Sequence, residues 1–126
     1  MRMILADQNQ KTLWALATVL QEEPGLEIVG EAADAEGLLL LAVNALVDLI
    51  LLDKQLAGAQ IAPLISELHT LDPRPAVFGM SSDSDDGRLM LKAGADAFVS
   101  KGDQPDWLLD MLRNYAKRHQ EGVESK

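Results

Sequence analysis

The chain alternates short apolar runs with longer stretches in which apolar and polar residues are mixed. Five runs stand out: Met3–Ala6, Glu27–Gly30, Leu49–Leu52, Ala76–Met80 and Ala97–Val99. Each has strand length, and several are continuous rather than alternating, the pattern of strands covered on both faces. The stretches between them read as helices. The first spans about Asn9 to Glu22 and is stopped by Pro24-Gly25; the second spans about Asp34 to Leu46, with Asp34 as its N-cap. The third spans about Ala59 to Leu71, and the fourth about Asp83 to Lys92, with acids in its first turn and Gly94 as its stop. The fifth starts near Pro105 and sets Leu108, Met111, Leu112 and Tyr115 at helical spacing. Strand followed by helix, repeated along the whole chain, predicts a parallel sheet with helices on both faces.

Two of these helices carry more apolar residues than a sheet can cover. The first reads Leu13-Trp14-Ala15-Leu16-Ala17-Thr18-Val19-Leu20, and the second has only glycine, leucine, alanine and valine from Gly37 to Val43. A helix on one face of a sheet needs a single apolar stripe. If Leu16, Val19 and Leu20 face the sheet, Leu13 and Trp14 lie away from it, and Leu40 and Val43 are the equivalent candidates on the second helix. The expectation is an exposed apolar patch that meets a partner or a second copy of the chain.

Composition narrows the class. The 126 residues are 48% hydrophobic and 25% charged, enough for one domain with its own core. Residues 1–118 are expected to form that domain, with 119–126 as a polar tail or the start of a linker. The absence of cysteine removes thiol catalysis, zinc–cysteine sites and disulfides, and fits a reducing, cytoplasmic setting. The net charge of −9 argues against direct nucleic-acid binding by charge, and acids dominate between Lys11 and Lys54, where no basic residue occurs. No apolar run is long enough for a membrane span or a signal peptide.

In open sheets of this type ligands sit at the carboxyl ends of the strands. The residues there are Asp7 and Gln8, Asp53, Ser81-Ser82, and Ser100-Lys101. Two carboxylates, a hydroxyl and an ammonium suit a hard cation and a phosphoryl group. Magnesium takes one or two carboxylates and keeps several waters. A carboxylate can attack phosphorus, and a lysine and a hydroxyl can hold the phosphoryl oxygens.

With Leu5-Ala6-Asp7, Ile50-Leu51-Leu52-Asp53, Met80-Ser81, Lys92-Ala93-Gly94-Ala95-Asp96-Ala97-Phe98 and Lys101 in place, the sequence resembles the receiver domain of two-component response regulators. The resemblance runs from Met3 to about Lys117, and Glu31-Ala32-Ala33-Asp34 looks most like receivers joined to LuxR-type helix-turn-helix domains. It implies a flavodoxin-like (βα)5 three-layer sandwich, a five-stranded parallel sheet in the order 2-1-3-4-5. It also implies that Asp53 accepts phosphate from a histidine kinase. Asp7, Asp53 and the backbone carbonyl of Gln55 would hold Mg2+, while Ser81 and Lys101 would bind the phosphoryl oxygens. Phe98 would be the switch aromatic coupled to Ser81. Catalysis would be limited to self-phosphorylation and self-dephosphorylation at Asp53.

Several positions depart from the family pattern. Gln8 stands where a second acid normally touches the metal, so Mg2+ affinity should be weakened. Ala57 and Ile61 replace a customary proline and glycine, and Gly102 follows the lysine where many receivers have proline. Two functions follow. One is a phosphorylation switch controlling transcription through a DNA-binding output domain, which would need sequence beyond Lys126. The other is an atypical receiver that acts as a phosphorylation-independent dimerisation or partner-binding module, a homodimer included. Other small α/β functions are disfavoured: Asp7-Gln8-Asn9-Gln10 is neither a flavin phosphate loop nor a glycine-rich dinucleotide turn. Lys54-Gln55 also lacks the second acid of haloacid-dehalogenase phosphatases. His69 and His119 have no metal-ligand spacing and read as surface residues.

Overall fold

The run Leu49–Asp53 (β3) is buried along its whole length and lies at the middle of a five-stranded sheet in the order β2-β1-β3-β4-β5. Its neighbours are β1 (Arg2–Ala6) and β4 (Ala76–Ser81), with β2 (Glu27–Ala32) and β5 (Ala97–Ser100) at the edges. All four pairings are parallel, as the strand–helix alternation requires. The computed structural model describes residues 1–56, 58–102 and 105–124. Ala57 and the side chain of His119 lie outside the described residues.

Side chains alternate across the sheet and build a core on each face. Ile4, Ile50, Leu52 and Val77 face α2 (Ala35–Asn44), α3 (Ile61–His69) and α4 (Gly87–Lys92), where they pack with Leu38, Leu64, Leu68 and Met90. Met3, Leu5, Leu51, Phe78 and Val99 face α1 (Gln10–Leu20) and α5 (Pro105–Glu124), packing with Leu13, Leu20, Leu108 and Leu112. Local chemistry sets the helix starts. The Asn9 carboxamide accepts from the N–H groups of Lys11 and Thr12, and the Asp34 carboxylate accepts from Gly37 N–H. Gly94, with φ of +115°, stops α4 as expected, in a conformation that side chains disfavour.

Three elements differ from the sequence expectation. The segment expected as one helix over 83–92 is a short 3-10 turn, Ser84–Asp86, followed by α4. The fifth helix runs on to Glu124, past the point where a polar tail was expected. Leu13 does not lie away from the sheet: it is 3% exposed, in the α1 core with Ala17 and Leu20. Seven residues are nearly two full turns at about 3.6 residues per turn, so Leu13 shares the inward face of Leu20. Trp14, one residue on, is 71% exposed, and Leu40 and Val43 of α2 are exposed as expected. Among the described residues no helix is long and apolar enough to cross a membrane.

The opposite environments of two adjacent apolar residues give a direct check. Leu13→Ala is expected to cost about 2–5 kcal/mol in urea-induced unfolding, because it leaves a cavity under α1. Trp14→Ala is expected to stay within about 0.5 kcal/mol of the parent. Equal losses would contradict this placement.

Candidate functional site

The parallel registers bring the carboxyl ends of β1, β3, β4 and β5 to one rim. Asp7 follows β1 and is fixed by its N–H bond to the Ala32 carbonyl (3.0 Å). Asp53 ends β3, and the next N–H, that of Lys54, bonds the Met80 carbonyl (2.8 Å). Lys101 follows β5 and donates its own N–H to the Ser81 carbonyl (2.8 Å). The two acids are thus placed by backbone that cannot shift without breaking the sheet. Both are buried, with Asp7 at 0% and Asp53 at 4% exposure.

Each carboxylate has one oxygen fixed locally and one turned to a shared cation. Asp7 Oδ1 accepts from Asn9 N–H (2.9 Å), and Asp53 Oδ2 accepts from Gln55 N–H (3.1 Å). These two-residue bonds are the ordinary Asx-turn contacts that follow a strand end. The Lys101 ammonium lies 2.5 Å from Asp7 Oδ2 and 2.8 Å from Asp53 Oδ1. Burial works against its charge, but the bonds it donates to Asp53 and Asp7 outweigh that and hold the ammonium above the usual lysine range. Among the described residues, Asp7 Oδ2 has no hydrogen-bond partner apart from the Lys101 contact.

The acids open on a cleft of ≈ 580 Å³ lined by Gln8, Asn9, Lys11, Gln55, Ser82 and Ser100 around the rim. Its floor is apolar, with Leu16, Val19, Val99 and Leu108 between α1 and α5. A hard cation fits the donor set: two buried carboxylates meet here, and Asp7 Oδ2, held by the Lys101 ammonium, is the kind of oxygen magnesium takes. Among the described residues no group of three or more acidic or histidine side chains converges, so the remaining ligands would be carbonyls and water. Gln8 is exposed at the mouth of the cleft and Gln55 lines it.

Ser81 and Phe98 stand apart from that cleft. The buried Ser81 hydroxyl donates to Asp86 Oδ2 (2.6 Å) and accepts from Asp83 N–H (3.1 Å). Lys54 fixes the other oxygen of the same carboxylate, Oδ1, at 2.9 Å. The half-buried Phe98 ring packs on Gly87, so closely that a Cβ there would stand 3.0 Å from the ring. Lys54 and Asp86 are the site residues that sequence reading missed. The one hint was a lysine directly after Asp53, opposite a run of acids read as the first turn of a helix. His69 also differs from its expected surface role: it is half-buried and meets Asp96 at 3.0 Å, beside Arg74.

A doubly wound parallel sheet in this order, with two acids and a lysine on its C-terminal rim, defines a signal-receiver type of protein. The family model described as the response regulator receiver domain matches residues 3–113, and the chain belongs to that family. The nitrate/nitrite response regulator protein NarL of Escherichia coli (strain K12) is 30% identical over 115 residues, covering 90% of this chain and 53% of that protein. The chain therefore spans about half the length of such relatives. Among solved structures, the response regulatory domain of mrkE from Klebsiella pneumoniae superposes with a TM-score of 0.84 at 17% identity, over 96% of this chain and 99% of that one. RcsB from Salmonella enterica serovar Typhimurium, bound to promoter P1flhDC in the presence of phosphomimetic BeF3-, gives a TM-score of 0.81 at 19% identity, over 93% and 60%. At those identities the two structures speak to the fold, and the fold agrees with the expected order.

The Ser81 hydroxyl, and next the Lys54 ammonium, hold the Asp86 carboxyl below the ordinary aspartate value. Its stabilising contribution is therefore complete above the unfolded value and lost as pH falls through the lower folded one. Carboxyl-carbon NMR titration of Ser81→Ala is expected to move Asp86 upward, and of Lys54→Met to move it upward by less. An Asp86 titration unchanged by Ser81→Ala would contradict the bond.

Proposed function

We propose that this receiver domain is a phosphorylation switch whose acceptor is Asp53. The observation that carries the reading is the convergence of Asp7, Asp53 and Lys101 on one cleft. Asp53 Oδ1 attacks the phosphorus of a phosphohistidine on a histidine kinase. The new O–P bond forms as the N–P bond breaks, and the histidine nitrogen leaves with the electron pair and takes up a proton. The ammonium of Lys101 moves from the paired carboxylates to the incoming phosphoryl oxygens, where a fixed cation offsets developing charge. Ser81 binds a further phosphoryl oxygen, and Phe98 follows it. Mg2+, held by Asp7, Asp53 and the Gln55 carbonyl, would supply a second positive charge for those oxygens. Gln8 in place of an acid makes that binding weak.

The unit is residues 1–118, acting in the cytoplasm. Its readout is a changed surface on α4, β5 and α5 that is passed to a DNA-binding output domain outside this chain, and the chain itself, at −9, does not grip nucleic acid. Relatives twice as long and the promoter-bound RcsB support that arrangement. A second reading has its own support in Gln8 and in the exposed Trp14, Leu40 and Val43: a receiver that pairs with a partner or a second copy whether or not Asp53 is phosphorylated.

Incubation with acetyl phosphate and Mg2+ separates the two. The expected result is a mass gain of one phosphoryl group that Asp53→Asn abolishes. Gln8→Asp is expected to lower the Mg2+ concentration needed for half-maximal labelling roughly tenfold, through the added ligand charge. No labelling from either acetyl phosphate or a phosphorylated kinase over a wide Mg2+ range would favour the second reading.

A further inference from the structure

Asp86 sits at the end of the 3-10 turn between β4 and α4, and its carboxylate joins two residues that flank the acceptor. One oxygen takes the Ser81 hydroxyl at 2.6 Å and the other takes the Lys54 ammonium at 2.9 Å. A hydroxyl carries one proton, so while it donates to Asp86 it cannot donate to a phosphoryl oxygen on Asp53. The second bond to Ser81, from Asp83 N–H, fixes the hydroxyl oxygen in the same place. Ser82 rather than Ser81 lines the cleft above Asp53. A bond to an ionised acceptor is about twice as strong as a neutral one, so this is a real competitor for the hydroxyl.

We propose that Asp86, braced by Lys54, is a latch that holds the Ser81 hydroxyl away from Asp53 in the resting protein and must release it when the phosphoryl group arrives. The proposal rests on the phosphoacceptor reading of Asp53 and adds to it the residue that sets its threshold. Among the described residues the Asp86 carboxylate bonds Ser81 and Lys54 and not Asp53, Asp7 or Gln55, so it is a positioning residue acting through Ser81. The latch also reaches the aromatic. Gly87, the next residue, carries the Phe98 ring against its Cα, so release of Asp86 frees the backbone on which that ring rests. Lys54 follows Asp53 directly and crosses to Asp86 of the β4–α4 segment, tying the acceptor strand to the latch. A resting state stabilised in this way lowers apparent affinity for any ligand that needs the released hydroxyl.

The test is binding of beryllium fluoride with Mg2+ to the full chain, followed by fluorine and heteronuclear NMR titration. Asp86→Ala is expected to tighten binding about tenfold, or about 1.4 kcal/mol. Asp86→Asn, which keeps the size and a neutral acceptor, is expected to fall between the two, and it serves if the alanine variant does not fold. In a Ser81→Ala background neither change at 86 should alter affinity, because the latch has nothing to hold. Asp85→Asn, which removes the same charge one residue away, should leave affinity unchanged. Equal affinity for the parent and Asp86→Ala would overturn the latch alone. Tightening that persists without Ser81, or that Asp85→Asn reproduces, would overturn it in favour of a general charge effect. Failure of the parent and every position-86 variant to bind would overturn the acceptor chemistry and the latch together.

Discussion

The site depends on one ammonium shared by two buried carboxylates. Taking Asp7 and Asp53 out of water is costly, and a second buried anion beside the first adds repulsion. Lys101 offsets both, reaching Oδ2 of one and Oδ1 of the other. The remaining oxygens are satisfied by the N–H groups of Asn9 and Gln55, so the cluster is fixed without being closed. Two acids and one cation leave a net negative charge facing the cleft. That residue of charge is what a divalent ion can neutralise.

The sheet makes this arrangement affordable. β3 is buried on both faces and its pairing with β1 and β4 sets Asp53 to within one strand of Asp7 and of Ser81. Asp7 and Lys101 anchor through their own N–H groups to the adjacent strand, and Asp53 through that of Lys54, so the geometry belongs to the core. The proposed switch segment lies elsewhere. Ser81, Asp86 and Gly87 sit where β4 passes into a short 3-10 turn and a six-residue helix, with Phe98 of β5 packed on Gly87. Short helices with few buried residues open at low cost, which is the property a switching element needs.

Much of this was legible in the sequence for a physical reason. Continuous apolar runs such as Leu49–Leu52 state that a strand is covered twice, and the chemistry at the end of each run follows from chain order alone. Asp7, Asp53 and Lys101 could be named before the structure because strand ends need no long-range information. Leu13 was misplaced because an apolar helix offers several self-consistent faces, and only contact with the sheet chooses one. Lys54–Asp86 was invisible for a different reason: the partners are 32 residues apart and meet through tertiary packing. The same holds for His69 and Asp96, 27 apart, whose pairing no local pattern records.

The most direct measurement is the coupling between Lys101 and Asp7 in urea unfolding, from Lys101→Met, Asp7→Asn and the double variant. Lys101→Met alone leaves two buried anions facing each other and is expected to cost about 3 kcal/mol. With Asp7 already neutral the same change should cost distinctly less, giving a coupling above about 1 kcal/mol. A coupling near zero would mean that the two carboxylates do not share the ammonium, and the site would lose the interaction on which its chemistry stands.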